Sequence, residues 1–340
     1  MNLDLNFIWF ILVGVLITGY AVLDGFDLGV GALHLFSKND RDRRILLNAI
    51  GPVWDGNEVW LVTAGGALFA AFPEAYATAF SGFYMAFMLL LFALIFRAVA
   101  IEFRSKQPMK WWRSLWDVSF SVSSILSSLL VGIALGNLAW GVPLSRHKEY
   151  IGTFLTLIHP YALLIGVLTL ALFMMHGSIY VVMKTEGTLH DQARAWVKHT
   201  MIFFIVTYAI ATVATLLYVP HLSNTLKQSP FLFLVPLLNI LAIANIPREI
   251  SKGNDFRAFL SSCFVMITFM ALFGIDIFPN LIYSNPQPEN SLTIYNAASS
   301  EKTLSIMLMI AAIGMPLVIA YTVSIYWIFR GKVKLETTSY

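Results

Sequence analysis

Charge is scarce in this chain. Asp, Glu, Lys and Arg make up 12% of its 340 residues, against about a quarter in an ordinary globular protein. That shortage excludes a soluble enzyme, and a 58% hydrophobic content excludes a disordered chain. Cysteine is nearly absent. Cys263 stands alone in an apolar run, so neither an internal disulfide nor a cysteine-ligated iron–sulfur cluster has its ligands. No nucleotide-binding glycine loop occurs, which leaves hydride chemistry without a seat. A net charge of +3 is too small to mark a nucleic-acid partner. The leading Asn2-Leu3-Asp4 is not basic, and the apolar run behind it is too long for a cleaved leader.

Apolar runs fill the chain instead. A hydrocarbon core about 30 Å thick needs about 20 apolar residues per helix. Nine stretches meet that length: about 7–35, 49–72, 75–100, 116–138, 156–183, 199–219, 230–247, 257–279 and 303–329. The runs are continuous rather than alternating, so the spans are helices and not barrel strands. Phe72-Pro73-Glu74 is so short a turn that the second and third spans must be antiparallel neighbours. The expected fold is all-α, a polytopic integral membrane unit covering residues 1–340.

Orientation follows from the basic residues. Eighteen of the 22 Lys and Arg fall on one side of the nine-span arrangement, among them Arg43, Arg104, Lys110, Lys184, Arg248 and Lys332. The other side holds Arg146, Lys148, Lys227 and Lys302. The excess of positive charge belongs in the cytoplasm, which puts the N-terminus on the periplasmic side and the C-terminus inside.

Carboxylates inside apolar spans carry the most information, because each costs about 2.5–3.5 kcal/mol at a helix centre. Asp24 and Asp27 occur in Asp-Gly-Phe-Asp-Leu-Gly-Val-Gly (24–31), and Asp55 and Glu58 in Trp-Asp-Gly-Asn-Glu-Val-Trp-Leu (54–61). Spacing of i, i+3 places each pair on one helix face. Asp24 lies roughly 25 Å along a helix entered from outside, at about 1.5 Å per residue. Asp55 is expected about two turns into a helix entered from the cytoplasm, at about 3.6 residues per turn. The two pairs therefore share one layer near the cytoplasmic face, and Arg97 at the end of the third span reaches it.

A structural ion-pair cluster with a snorkelling Arg97 is one reading of that layer. A proton-loading site is the other, since four acids against one base exceed what pairing explains and crowded carboxylates can hold an exchangeable proton. A metal site is disfavoured by the lack of a nearby histidine.

Small-residue spacing at Gly25/Gly29 and Gly132/Gly136 predicts close helix packing, and Gly65-Gly66 is expected to act likewise. His159 and His176 are roughly 25 Å apart on one helix by the same rise, so they cannot serve one haem together.

These motifs closely resemble subunit II of the bacterial cytochrome bd-type quinol oxidases, including the cyanide-insensitive members. So do Ala64–Pro73, Phe103-Arg-Ser-Lys106, Gly136–Pro143 and Ser291–Ser300, in order along nearly the whole chain. The resemblance implies nine helices, in two four-helix bundles plus one, in the bacterial cytoplasmic (inner) membrane. It implies a heterodimer with a subunit I that carries haem b, haem d and the quinol site, with a small single-span accessory subunit as a further partner. Subunit II would then be a scaffold, part of a cytoplasmic proton route, and in some members the host of a structural quinone. No catalytic residue is expected in this chain itself. Asp55, after Trp54, matches the family's proton-route aspartate, and Glu58, Asp24, Asp27 and Arg97 complete the candidate route. Two departures stand out: the segment from Pro220 to Pro230 is short where some relatives carry an insertion, and Glu58 is an amide in at least one relative. The complex would oxidise quinol and reduce O2 to water. A proton-coupled secondary transporter, which also wants buried acids, is the alternative, although paired Gly/Pro-broken helices are lacking.

Overall fold

The computed structural model describes residues 4–223 and 227–335. Met1–Leu3, at the start of the stretch weighed as a leader, lie outside the described residues, as do 224–226 in the connection before Pro230. The described residues form eleven α-helices: α1 Leu5–Leu33, α2 Asp40–Ile50, α3 Trp54–Ala71, α4 Pro73–Gly82, α5 Tyr84–Phe103, α6 Lys110–Trp140, α7 Pro160–Lys184, α8 Gly187–Tyr218, α9 Leu234–Ser251, α10 Asp255–Ile277 and α11 Glu301–Ile328. Eight of the described helical segments are long and apolar enough to cross a membrane.

The stretch expected as the second span is not among those eight. It begins later than expected, at Trp54 rather than 49, because Gly51-Pro52 ends α2 and the proline can supply no helical N–H there. Residues 49–50 belong to α2, a short helix that buries Leu46, Leu47, Ala49 and Ile50. What remains is the 18-residue α3, whose first turns carry Asp55, Asn57 and Glu58 and so lower its apolar content. The expected third span is divided at Phe83, where α4 ends and α5 begins.

Two sets of helices pack side by side. In the first, α1 lies against α3 and α6, and α5 against α6; in the second, α7 packs with α8 and α10, and α9 with α10. The seam is made by α7 against α6 and α1, while α11 runs outside along α1 and α3.

Lipid tails are as apolar as leucine, so packing rather than hydrophobicity decides which faces turn inward. A side-chain Cβ on Gly29 would stand 1.9 Å from the carbonyl oxygen of Phe173, and one on Gly177 would stand 2.6 Å from the Gly29 backbone. The α1–α7 crossing therefore exists only with glycine on both helices. Gly132 and Gly136 likewise admit α7 at Gly166 and Ala162. Gly65 and Gly66 do not follow the expectation: a Cβ there meets nothing within 4 Å, since that face of α3 points out of the chain. On α6, Ser124, Ser127 and Ser128 are fully buried, with the Ser124 and Ser128 hydroxyls returned to carbonyls of their own helix.

At the end where α6 finishes, the segments 141–159 and 278–300 fold into a cap. It holds the short antiparallel pair β1 Asn280–Ile282 and β2 Leu292–Thr293 over a core of Trp9, Phe72, Phe83, Val142, Leu144, Leu157 and Leu304. At the opposite end the tail after α11 is tied back to α7: Lys184 Nζ donates to the Phe329 carbonyl, and the Val333 amide to the Lys184 carbonyl at 2.9 Å.

Candidate proton site

The lower half of α1 is wholly buried from Asp24 to Leu33, wedged between α3, α6 and α7. Its two carboxylates are accordingly buried, and they meet Arg97 of α5. Arg97 Nη2 donates to Asp24 Oδ1 at 2.7 Å and Nη1 to Glu58 Oε1 at 2.6 Å. Asp27 Oδ2 stands 3.9 Å from Nη2. Arg97, Asp24 and Asp27 are fully buried, and the Glu58 side chain is 22% exposed. The snorkelling arginine of the structural reading is not what forms, because the guanidinium points inward to the acids.

Asp55 stands apart from this group. It is exposed in the first turn of α3, and among the described residues it makes no hydrogen bond or ion pair. The expected depth of two turns is corrected by the later helix start. Trp54 beside it is buried and contributes to the core around α2 and α7. The acidic face of α3 thus runs from the exposed Asp55 to the half-buried Glu58, and from there to the buried pair on α1.

One guanidinium serves three carboxylates. Full ionisation would leave two uncompensated negative charges in a buried site, which is a costly arrangement. A proton shared among the acids relieves it. Asp24 Oδ2, Asp27 Oδ1, Arg97 Nε and Tyr20 OH are buried without a protein partner, and polar atoms of that kind are usually served by internal water.

Two members of the site were not picked out from the sequence. Asn57, 2% exposed, donates from Nδ2 to Asp27 Oδ2 at 2.7 Å and to the Leu23 carbonyl at 3.0 Å. Tyr326 of α11 donates its hydroxyl to Asn57 Oδ1 at 3.0 Å. The amide lay in the 54–61 motif and could have been weighed as a buried polar group; Tyr326 carries no local signal at all. A second cluster was also missed. Asp117, the acid near the start of α6, accepts from Arg104 Nε at 2.5 Å and Arg43 Nη1 at 2.9 Å, and lies 2.6 Å from His34 Nε2. It ties together the end of α1, α2, the α5–α6 turn and α6.

A cavity of about 520 Å³ lies between the two helix sets. Its walls are mostly apolar, with Tyr20 on the side of the acid cluster. At the cap end, Tyr161 OH and Thr215 Oγ1 are 2.9 Å apart, and Asp276 adds a carboxylate whose Oδ1 is buried without a partner. The histidines are engaged elsewhere. His176 is fully buried with Nδ1 2.8 Å from Ser262 Oγ and Nε2 3.0 Å from the Val22 carbonyl. His159 caps α7, accepting from the Ala162 amide at 3.4 Å. Among the described residues no group of three or more His, Cys, Asp or Glu is placed to hold a metal ion.

The fold and the cluster define a class: an all-α polytopic membrane protein with a buried cluster of three carboxylates around one arginine at one end of its bundle. Comparison with known proteins then gives the family. The profile described as "Cytochrome bd terminal oxidase subunit II" matches residues 5–329, and the chain belongs to that family. It is 36% identical over 363 aligned residues to the cytochrome bd-I ubiquinol oxidase subunit 2 of Escherichia coli (strain K12), covering 98% of this chain and 96% of the relative. It is 33% identical to the cytochrome bd ubiquinol oxidase subunit 2 of Bacillus subtilis (strain 168), covering 97% of each. The fold is similar to a chain of the bd oxidase from Geobacillus thermodenitrificans, with a TM-score of 0.79 at 17% identity over 96% of this chain and 98% of that one. The transporter alternative falls with these findings. The chain is a subunit of a terminal oxidase, and so a component of an oxidoreductase complex.

Proposed function

We propose that this chain takes protons from the cytoplasm and delivers them towards the haem-bearing subunit I, while its bundle serves as the scaffold for that subunit. The observation that carries the reading is the sharing of Arg97 by Asp24, Asp27 and Glu58, with Asp55 exposed one turn away from Glu58. Asp55 can take a proton from water. Glu58 follows on the same face of α3, and Asp24 and Asp27 wait inside. Arg97 relays nothing, since a guanidinium does not deprotonate in proteins; it holds the carboxylates in place.

The oxidation of two quinols releases four electrons and four protons, and the reduction of one O2 to two waters consumes four of each. If the reducing site lies nearer the periplasm, its protons must cross the membrane layer, and a route through this subunit makes the reaction electrogenic without a pump. Haems b and d belong to subunit I in this reading, because the buried His176 of this chain already spends both ring nitrogens on protein atoms. The 520 Å³ cavity suits a structural quinone: it has the volume and apolar wall of a small-molecule site. Tyr161, Thr215 and Asp276 would hold the polar ring, leaving the tail to the apolar wall. This chain would cross the cytoplasmic (inner) membrane nine times, with α3 added to the eight long apolar helices.

Asp55→Asn keeps size and hydrogen bonding but cannot carry a proton. The variant complex is expected to assemble with its haems and lose most of its quinol oxidase turnover, with Asp55→Glu partly active. Full assembly together with oxygen consumption at the unmodified rate across the physiological pH range would show that Asp55 is not an essential carrier.

A further inference from the structure

The two buried aspartates are held differently. Asp24 Oδ1 is bonded to Arg97 at 2.7 Å, whereas the near donor to Asp27 Oδ2 is the Asn57 amide at 2.7 Å, with Arg97 3.9 Å away. The orientation of that amide is fixed by its other partners. The Leu23 carbonyl can only accept, so it requires Nδ2 on the α1 side. With the amide so placed, its Oδ1 accepts the Tyr326 hydroxyl at 3.0 Å. Turning the amide over would break the Leu23 bond and set its oxygen against the Asp27 carboxylate, so Asp27 Oδ2 faces an N–H.

That has a chemical consequence. A proton arriving at Asp27 is disfavoured on Oδ2, where it would weaken the bond accepted from the amide. It is favoured on Oδ1, the buried oxygen that has no protein partner. We infer that Asp27 is the proton-exchanging member of the buried pair, that Asn57 is the positioning residue that directs the proton to its Oδ1, and that Tyr326 acts through Asn57. Asp24 is the fixed counter-ion of Arg97. The terminal helix α11 thereby takes part in the site. Leu304 is its one buried residue, and it is anchored at its two ends by the Trp9 Nε1–Leu304 carbonyl bond of 3.0 Å and by Tyr326. The inference rests on the proton-route reading and extends it to two residues that no motif assigned.

The test uses the two-subunit oxidase in membranes, with Tyr326→Phe, Asn57→Ala, their combination, and Asp27→Asn as reference. Tyr326→Phe keeps the ring that packs edge-on against Phe26 and removes only the hydroxyl. Its haem content should be unchanged, and its turnover should fall roughly three- to tenfold, the range of one ordinary hydrogen bond. The pH profile of oxygen consumption should be displaced, and so should the infrared carboxyl band that disappears in Asp27→Asn. The double variant should be no worse than Asn57→Ala, because Tyr326 acts only through the amide. If Asn57→Ala does not assemble, Asn57→Asp matches its size and should lose as much activity by setting a carboxylate against Asp27. An unchanged pH profile and carboxyl band in Tyr326→Phe, with Asp27→Asn impaired, would overturn this inference alone. So would losses that multiply in the double variant. Unimpaired turnover in Asp27→Asn would remove the proton role of Asp27, and the inference with it.

Discussion

Single residues in this subunit are tied to one another across helices, and Asp117 is one hub among them. Its side chain is 2% exposed and pairs with Arg43 and Arg104 beside His34. Removing one partner of a buried ion pair strands the others and costs about 3–5 kcal/mol. Asp117→Ala is therefore expected to lower the unfolding midpoint of the detergent-solubilised complex. What survives should turn over normally, since none of these groups touches Arg97. A loss of turnover at full stability would instead place Asp117 in the proton route. The contrast with Asp27 is one of charge balance: Asp117 meets two arginines, while the cluster on α1 and α3 shares one.

Among the elements, the crossing of α1 and α7 decides the geometry of the site. It brings the two helix sets together and buries the helix that carries Asp24 and Asp27. Gly29→Val would drive side-chain atoms into the Phe173 carbonyl, which lies on helix backbone and cannot yield. We expect failure of assembly, seen as loss of the subunit from membranes. Gly65→Ala should be tolerated, because its Cβ position is open in this chain. An assembly defect in Gly65→Ala would mark that face of α3 as covered by the partner. Identical small-residue patterns thus carry different meanings. The 25/29 pair was legible as packing because small residues at that spacing let a neighbouring helix approach closely. The 65/66 pair reads the same in sequence yet faces outward.

At the scale of the whole molecule, the loops sort into two ends, one with the ordered cap of 141–159 and 278–300 and one with the basic turns. Single-cysteine labelling in a Cys263→Ala background would test how they lie in the membrane. Exposed Lys106 and Lys252 replaced by Cys should react only from the cytoplasm, and exposed Arg146 and Tyr295 only from outside. Reaction of the Tyr295→Cys thiol from the cytoplasm would reverse the orientation and, with it, the direction of the proposed proton route.

The sequence by itself determined that the chain is a helical membrane protein, and it marked the acids and Arg97 as one layer. Apolar run length, charge asymmetry and i, i+3 spacing are local or additive properties, and they survive without knowledge of which helix touches which. It did not determine that Asp55 stays outside the cluster. That depends on Gly51-Pro52 ending α2, a boundary hidden within an otherwise continuous apolar stretch. Nor could it show Tyr326 bonded to Asn57, 269 positions earlier in the chain. Contacts of that kind are created by the path of α11 along α1 and α3, so only the tertiary structure decided which carboxylate has the guanidinium and which has the amide.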